Sequence, residues 1–212
     1  MIHKEADNRY PINGLSKTRW SPRAFADRPV EPEKLRSIFE AARWSPSGGN
    51  QQPWRFIVGI RPDETWHKVF SCLDDGNQEW AYLPPVLMIT CARRMLNSGR
   101  MANPTFQYDT GQSAAHLTFE ATSLGLFVHQ MGGFYPEKAI EVFRIPEGYQ
   151  PMSVISIGYM GEPELLKGRN YEREFEVRTR KDFSEFVFSG NFGEPSPLFT
   201  DTERNEGSEE KP

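Results

Sequence analysis

The segment from residue 44 to residue 56 joins a predicted helix to a predicted strand, and it constrains the fold more than any other part of the chain. An amphipathic helix precedes it, and an apolar strand, Trp54 to Ile60, follows through Pro53. No charged residue occurs from Trp44 to Trp54. Ser, Gly, Asn and Gln instead offer hydrogen-bond donors and acceptors, and glycine permits close approach of the backbone. The segment therefore predicts a helix–loop–strand unit whose loop lies against a flat ligand with polar edges.

The rest of the chain alternates between helical and strand patterns. The predicted helices cover residues 31–44, 65–72 and 109–124 and a segment starting at Pro136, and the predicted strands cover 54–60, 85–91, 126–130 and 152–160. Asp109 is a possible N-cap of the longest helix, and Gly125 is its terminator. Residues 182–188 could form a last strand or a helical turn. Since helices outnumber strands, the pattern predicts an α+β or three-layer α/β arrangement.

The length of the chain suits one domain with extended ends. It has 212 residues and contains no internal repeat or mid-chain linker, so we expect a single domain over residues 1–199. Residues 182–199 form a C-terminal extension of that domain. Its last part, residues 191–199, is rich in turn residues and phenylalanine, and is expected to wrap over its own domain or over a second subunit. Residues 200–212 are acidic without bulky apolar side chains, and are expected to be a disordered tail.

Composition argues against several classes of function. The net charge of −4 disfavours non-specific binding to nucleic acid, and no apolar run is long enough to span a membrane. Only Cys72 and Cys91 occur, which indicates no disulfide framework and a reduced, cytoplasmic setting. No Cys/His spacing resembles a metal site, and the four histidines are scattered. Dinucleotide-binding, Walker A and serine-hydrolase motifs are missing from the sequence.

Two basic sets are candidates for binding an anion. The run from Arg19 to Arg23 places two arginines four residues apart with the Ser21 hydroxyl between them. A second run, Arg178-Thr179-Arg180-Lys181, follows the last predicted core strand. Either run could instead be a solvated surface loop. If the two runs converge in space, they could clamp one phosphate.

Two further segments carry amide or glycine chemistry. Gln130-Met131-Gly132-Gly133 follows a short apolar strand, where paired glycines let backbone N–H groups approach a ligand closely. A plain turn is the alternative there. Asn77 precedes another strand and could either read the edge of a heterocycle or cap a helix.

Taken in order, these segments resemble the nitroreductase family of FMN-dependent oxidoreductases. The resemblance is carried by residues 19–25, 41–47, 50–56, 77–81, 125–134, 157–159 and 178–181, and it covers roughly residues 15–188. It implies an α+β fold, three-layered as α/β/α, with a mixed, mostly antiparallel central sheet. It also implies a homodimer in which FMN lies at the interface and is contacted by both subunits.

The resemblance assigns roles to individual residues. Arg19 is expected at the FMN phosphate, Asn77 at the pyrimidine end of the flavin, and Gly132 and Gly133 beside flavin N5. The loop of Pro46, Ser47 and Gly48 is expected to come from the partner subunit. The full set of expected cofactor contacts is Arg19, Trp20, Ser21, Arg23, Pro46, Ser47, Gly48, Asn50, Asn77, Gln130, Met131, Gly132, Gly133, Arg178 and Arg180. Three positions depart from well-known members: Trp20, Trp80 in place of a lysine, and Gly132 in place of a glutamate.

The chemistry that the resemblance implies belongs to the flavin, so no protein residue is assigned as catalytic. NAD(P)H would pass hydride to flavin N5, and a nitroaromatic, a quinone or a similar small acceptor would then take the electrons in a ping-pong cycle. Arg23 would stabilise negative charge on the reduced flavin. Phe106 and Tyr108 could stack on an aromatic acceptor, or pack in the core. The alternatives are another reaction on the same scaffold, such as dehalogenation or dehydrogenation, and a non-catalytic FMN-binding or storage protein.

Overall fold

Four strands form a single sheet in the computed structural model, which describes residues 4–199. They are β1 (Trp54–Ile60), β2 (Val86–Arg93), β3 (Phe127–Met131) and β4 (Tyr149–Gly158), in the spatial order β1-β2-β4-β3. Every strand pair of the described chain is antiparallel. The predicted α+β fold is confirmed, with an antiparallel sheet where a mixed one was expected. The predicted acidic tail, residues 200–212, lies outside the described residues.

Seven α-helices accompany the sheet in the described residues. They are α1 (Gly14–Thr18), α2 (Pro32–Arg43), α3 (Glu64–Ser71), α4 (Asp75–Gln78), α5 (Phe106–Ser123), α6 (Pro136–Phe143) and α7 (Gly168–Phe175). Helix α2 forms where the pattern predicts it, because Pro32 suits the first turn and Leu35, Ile38 and Ala42 are buried along one face. The helices α1 and α4 were not predicted, because four or five residues are too few for a helical period to stand out. Helix α7 was not predicted because its buried residues, Asn170 and Glu174, are polar.

One boundary in α5 corrects the sequence prediction. The helix begins at Phe106 rather than at Asp109, and its N-cap is Thr105, whose side chain makes no capping hydrogen bond. Asp109 is therefore not a cap. It lies in the first turn of the helix and is buried, so its carboxylate faces other parts of the protein.

The core lies on both faces of the sheet, as a three-layer arrangement requires. Along β2, Leu87 and Ile89 belong to one buried cluster, while Val86 and Met88 belong to another. This alternation follows from the two-residue period of a strand. The first cluster contains α3 and α6 residues, and the second contains α2 and α5 residues. None of the helices within residues 4–199 has both the length and the apolar character needed to cross a bilayer.

The contacts divide the chain into two units, the first ending at Glu176 and the second starting at Val177. In the second unit, residues 182–188 contain a helical turn rather than a strand, Phe183–Glu185, whose start is capped reciprocally by Asp182 and Glu185. A bridge between Phe188 and Pro195 and a turn at Pro197–Phe199 follow. The single domain over residues 1–199 stays a prediction.

Candidate functional site

The loop after α2 is tightly curled. Gly49, Asn50 and Gln52 have φ angles of 54°, 54° and 46°, in the left-handed region that non-glycine residues rarely adopt. The Ser47 hydroxyl accepts a hydrogen bond from the Gln52 amide at 3.0 Å, and the Gln52 side chain donates to Asn50 Oδ1 at 2.9 Å. Strained backbone of this kind persists only when surrounding contacts hold it, and it is concentrated at functional sites.

The contacts that hold the loop come from the start of α5. The Gly48 amide donates to Asp109 Oδ2 at 3.2 Å, and the Thr105 hydroxyl donates to the same oxygen at 2.9 Å. A side chain at Gly48 would press on Thr105, because a Cβ there would lie 3.0 Å from Oγ1. Phe106 and Tyr108 belong to this first turn of α5, and Tyr108 is 72% exposed. The structure therefore brings the predicted loop and the predicted substrate residues together.

The main chain of the Arg19–Arg23 segment is held from two sides. The Pro22 carbonyl accepts a hydrogen bond from His129 Nδ1 at 2.8 Å. The Glu174 carboxylate accepts from the Arg23 amide at 3.0 and 3.1 Å and from the Ala24 amide at 3.0 Å. His129 lies on β3 and Glu174 on α7, so two distant parts of the chain position the segment.

The side chains of the segment differ in their surroundings. Arg19 Nη1 donates to the Ser21 hydroxyl at 3.4 Å, which places the two predicted phosphate ligands side by side. Trp20 is buried, with its ring packed edge-on against Phe127 at a centroid distance of 6.2 Å. The ring of Trp20 thus fills the core beneath the segment.

The electrostatics of Arg23 suit a bound anion. Burial and the neighbouring positive charge of Arg173 both lower the pKa of the Arg23 guanidinium, while Glu174 and Glu176 oppose that effect. Two guanidinium groups close enough to repel each other favour an anion between or beside them. Arg23 and Arg173 are therefore the cations available to an anion here, and Glu174 and Glu176 offset part of their charge.

A second predicted set is assembled around Asn77. Its Nδ2 donates to the Gly133 carbonyl at 2.9 Å, and its Oδ1 accepts from Trp80 Nε1 at 3.3 Å. The N-cap of α4 is Asp74, so the alternative of Asn77 as a cap is wrong. A Cβ on Gly133 would overlap Asp74 Oδ2 and lie 2.6 Å from Asn77 Nδ2. Any other residue there would require the Asp74 and Asn77 side chains to shift.

The neighbours of Gly133 are arranged differently. A Cβ on Gly132 would meet no atom within 4 Å, so the main chain at that position borders open space. Gln130 Nε2 donates to the Thr118 hydroxyl on α5 at 3.0 Å, and Met131 is buried in the core. The side chains of Gln130 and Met131 thus make contacts within the protein, whereas Gly132 leaves room for a planar group.

Trp80 and His129 join the Asn77 set to the arginine segment. Trp80 is only 1% exposed, and its ring lies against the His129 ring at a centroid distance of 4.6 Å. Because a carbonyl oxygen can only accept, the Nδ1 atom that contacts Pro22 carries the proton. Burial lowers the pKa of His129 to about 4, so the ring is neutral near pH 7. A continuous path of contacts thus runs from Gly133 through Asn77, Trp80 and His129 to Pro22.

The remaining predicted residues have other hydrogen-bond partners. The loop of Pro46, Ser47 and Gly48 is bonded to α5, whereas the arginine segment is bonded to β3 and α7. Arg178 and Arg180 belong to the second unit, where Arg180 Nη1 donates to the Thr179 carbonyl at 2.6 Å. Searched over residues 4–199, the structure contains no group of three His, Cys, Asp or Glu residues that could hold a metal ion.

Three residues that shape the site were missed by the sequence analysis. Glu174 lies in a short helix that had no recognisable period, His129 was one of four scattered histidines, and Asp109 was assigned to a cap. In each case the polar atom finds its partner far along the chain, 151 residues away for Glu174 and Arg23. Identifying them would have needed a sequence pattern that marks buried residues, and buried polar residues follow no such pattern.

Comparison with known proteins places these observations in a family. The profile described as "Nitroreductase family" matches residues 17–69, which include the arginine segment, the curled loop and β1. A protein of Archaeoglobus fulgidus named "Putative NADH dehydrogenase/NAD(P)H nitroreductase" is 30% identical over 148 residues, covering 67% of this chain and 81% of the relative. A protein of the same name from Methanothermobacter thermautotrophicus is 33% identical over 151 residues, covering 69% and 75%.

Solved structures agree with the sequence relatives. A structure described as an oxidoreductase containing FMN superimposes with a TM-score of 0.84 at 32% identity, covering 89% of this chain and 96% of the other. A nitroreductase family protein from Clostridium difficile 630 superimposes with a TM-score of 0.64 at 29% identity, covering 82% and 94%.

Proposed function

This chain belongs to the nitroreductase family, and from that premise we propose that it is an FMN-dependent oxidoreductase that uses NAD(P)H as electron donor. The observation that carries the proposal is the path of contacts from Gly133 through Asn77, Trp80 and His129 to Pro22, the neighbour of Arg23. It combines a charge pattern suited to a phosphate with an amide and an open glycine suited to the edge and face of a flat ring. The similar structure that contains FMN supports the same cofactor.

The residues would divide the binding of FMN among them. Arg19, Ser21 and Arg23 would hold the phosphate. Arg178 and Arg180, which belong to the second unit, stay predicted cofactor contacts. Asn77 keeps one amide hydrogen and one lone pair beyond its bonds to Gly133 and Trp80, so it can still bond to a heterocycle edge. Gly132 would leave space for the ring, and the main chain of Gln130 and Met131 would line the approach to it.

When bound, FMN would supply the redox chemistry, accepting hydride from NAD(P)H at N5 and reducing a small acceptor such as a nitroaromatic or a quinone in a ping-pong cycle. The contribution of the protein is orientation and charge. The fixed positive charge of Arg23 would favour negative charge in its vicinity. His129, neutral near pH 7, adds no competing charge beside it.

A homodimer would complete the site. Within one chain the curled loop is hydrogen-bonded to α5, whereas the arginine segment is hydrogen-bonded to β3 and α7. This is consistent with Pro46, Ser47, Gly48 and Asn50 serving the partner's cofactor. Large apolar side chains of the second unit are exposed, Phe192 by 95% and Leu198 by 76%. Such surface favours a covering subunit. We therefore propose that residues 191–199 cross to the partner subunit. We also propose that residues 1–199 form one FMN-binding domain.

The proposal is tested with the purified full-length protein. A yellow preparation with flavin absorbance is expected, and anaerobic stopped-flow with NADH and with NADPH should bleach the flavin with at least one donor. Bound flavin that neither donor reduces would favour a storage protein. A screen of acceptors with pre-reduced protein separates nitro and quinone reduction from dehalogenation. Phe106 and Tyr108 would contact the acceptor.

A further inference from the structure

The Glu174 carboxylate is buried and serves main-chain amides. Its side chain is only 1% exposed, and both oxygens lie within hydrogen-bond distance of the Arg23 amide while one also accepts from the Ala24 amide. Burying a carboxylate is costly unless hydrogen bonds and nearby positive charge compensate. Here the amides supply the hydrogen bonds, and the guanidinium of Arg23 is near enough for the two charges to interact.

Helix α7 presents this carboxylate from an anchored position. The buried Asn170 side chain donates to Glu79 Oε2 at 2.9 Å, next to the helix that carries Asn77. Lys4 Nζ donates to the Arg173 carbonyl at 3.1 Å near the end of α7. Because α7 is tied at both ends, it can hold the Arg23–Ala24 backbone in one conformation.

The charge of Glu174 also bears on the two arginines beside it. Arg23 and Arg173 repel each other, and Glu174 is the larger of the two acidic influences that oppose this effect on Arg23. A glutamine at position 174 could still accept one hydrogen bond. It would lack the negative charge, and its NH2 group would face main-chain donors.

We propose that Glu174 is the positioning residue of the anion site, fixing the Arg23–Ala24 main chain so that the Arg23 guanidinium can bind a phosphate monoester. This inference rests on the proposed binding of FMN. It assigns Glu174 no contact with the flavin. Its effect on the binding of oxidised FMN should therefore fall on recognition of the phosphate, because the role expected of Arg23 at the ring concerns the reduced flavin.

The experiment compares FMN with riboflavin, which lacks the phosphate. Dissociation constants for both are measured by flavin fluorescence on full-length protein freed of flavin, for wild type, Glu174→Gln, Glu174→Asp and the exposed control Glu172→Gln. We expect Glu174→Gln to raise the dissociation constant of FMN about 10-fold or more, because charge-assisted hydrogen bonds are lost. The dissociation constant of riboflavin should change little. Glu174→Asp should recover part of the preference for FMN, and Glu172→Gln should keep all of it.

A double variant separates positioning from general folding. In an Arg23→Ala background, Glu174→Gln should no longer change the ratio of the two dissociation constants. Equal losses for FMN and riboflavin in Glu174→Gln would overturn the inference, as would an unchanged ratio. If Glu174→Gln does not fold, Glu174→Asp decides by the same ratio. Wild-type protein that binds no FMN would refute the proposed function itself, and this inference with it.

Discussion

The main-chain amide of Gly48 donates a hydrogen bond to the buried carboxylate of Asp109, 61 residues later, at 3.2 Å. This bond attaches the curled loop to the first turn of α5, where a negative charge is also favoured by the helix dipole. The loop has left-handed backbone at several positions, so its conformation depends on such an external attachment.

Replacing the charge at this attachment should loosen the loop. For Asp109→Asn we expect a loss of about 1–3 kcal/mol in the free energy of unfolding, because a buried charge-assisted bond is weakened. FMN affinity should fall in parallel if the loop serves the cofactor. Urea unfolding and flavin titration measure both quantities. Asp75→Asn, an exposed carboxylate in the first turn of α4, is the matched control and should change neither.

The two adjacent glycines should respond oppositely to alanine. Gly133→Ala forces a methyl group against the Asp74 and Asn77 side chains and should destabilise the protein by roughly 1–3 kcal/mol. The methyl group of Gly132→Ala would lie in open space. This variant should leave the free energy of unfolding nearly unchanged and weaken the binding of FMN. Thermal unfolding and flavin binding provide the readouts. Equal stability of the two variants would contradict the packing described for Gly133.

The indole N–H of Trp80 should matter separately from its ring. Trp80→Phe retains an aromatic ring against His129 but removes the donor to Asn77 Oδ1. The unfolding free energy should fall by about 1 kcal/mol or more. FMN should bind more weakly because the Asn77 amide loses one of the two hydrogen bonds that orient it. The exposed Trp44 provides the comparison, since Trp44→Phe should leave FMN affinity intact if the Asn77 amide is the cause.

His129 should make stability depend on pH. Its pKa is about 4 in the folded protein and near 6.5 when unfolded, so the unfolded chain binds the additional proton between these values. The contribution of His129 to the free energy of unfolding is therefore fully present above pH 6.5. It declines as the pH falls towards 4 and does not change further below pH 4. The decline should reach at most about 3 kcal/mol. Denaturant unfolding from pH 7 to pH 4 should show this component in wild type and in His116→Gln, and its absence in His129→Gln.

Arg19 should act on the phosphate. Arg19→Ala is expected to weaken FMN about 10-fold, as loss of a charged hydrogen-bonding partner would, with a much smaller effect on riboflavin. Arg36→Ala, on the exposed face of α2, should leave both unchanged. Unchanged FMN affinity in Arg19→Ala would remove this residue from the phosphate site.

Dimerisation and cofactor binding should be linked. If the loop of one subunit contacts the cofactor of the other, dilution that separates the subunits should release FMN. Sedimentation velocity monitored at a flavin wavelength compares the two processes directly. A stable monomer that retains FMN with full affinity would break the proposed link.

Local patterns in the sequence were sufficient to predict the main elements of the fold. The apolar run after Pro53 placed β1 at its observed bounds, and the helical spacing of Leu35, Ile38 and Ala42 placed α2 within a residue or two at each end. Hydrophobic burial follows a short period along the chain, so it can be read locally. The uncharged composition of the loop after α2 likewise identified it as a segment of special geometry.

Tertiary structure alone decided how the polar residues pair. Nothing near Glu174 in the chain indicates that its carboxylate accepts bonds from Arg23 and Ala24, and nothing near His129 points to Pro22. A hydrogen bond depends on two groups meeting within about 3 Å, and residues more than 100 positions apart meet only after the sheet and helices have packed. The sequence by itself therefore determined the layers of this protein and the segments that border the site, whereas the folded chain determined which buried groups hold those segments in place.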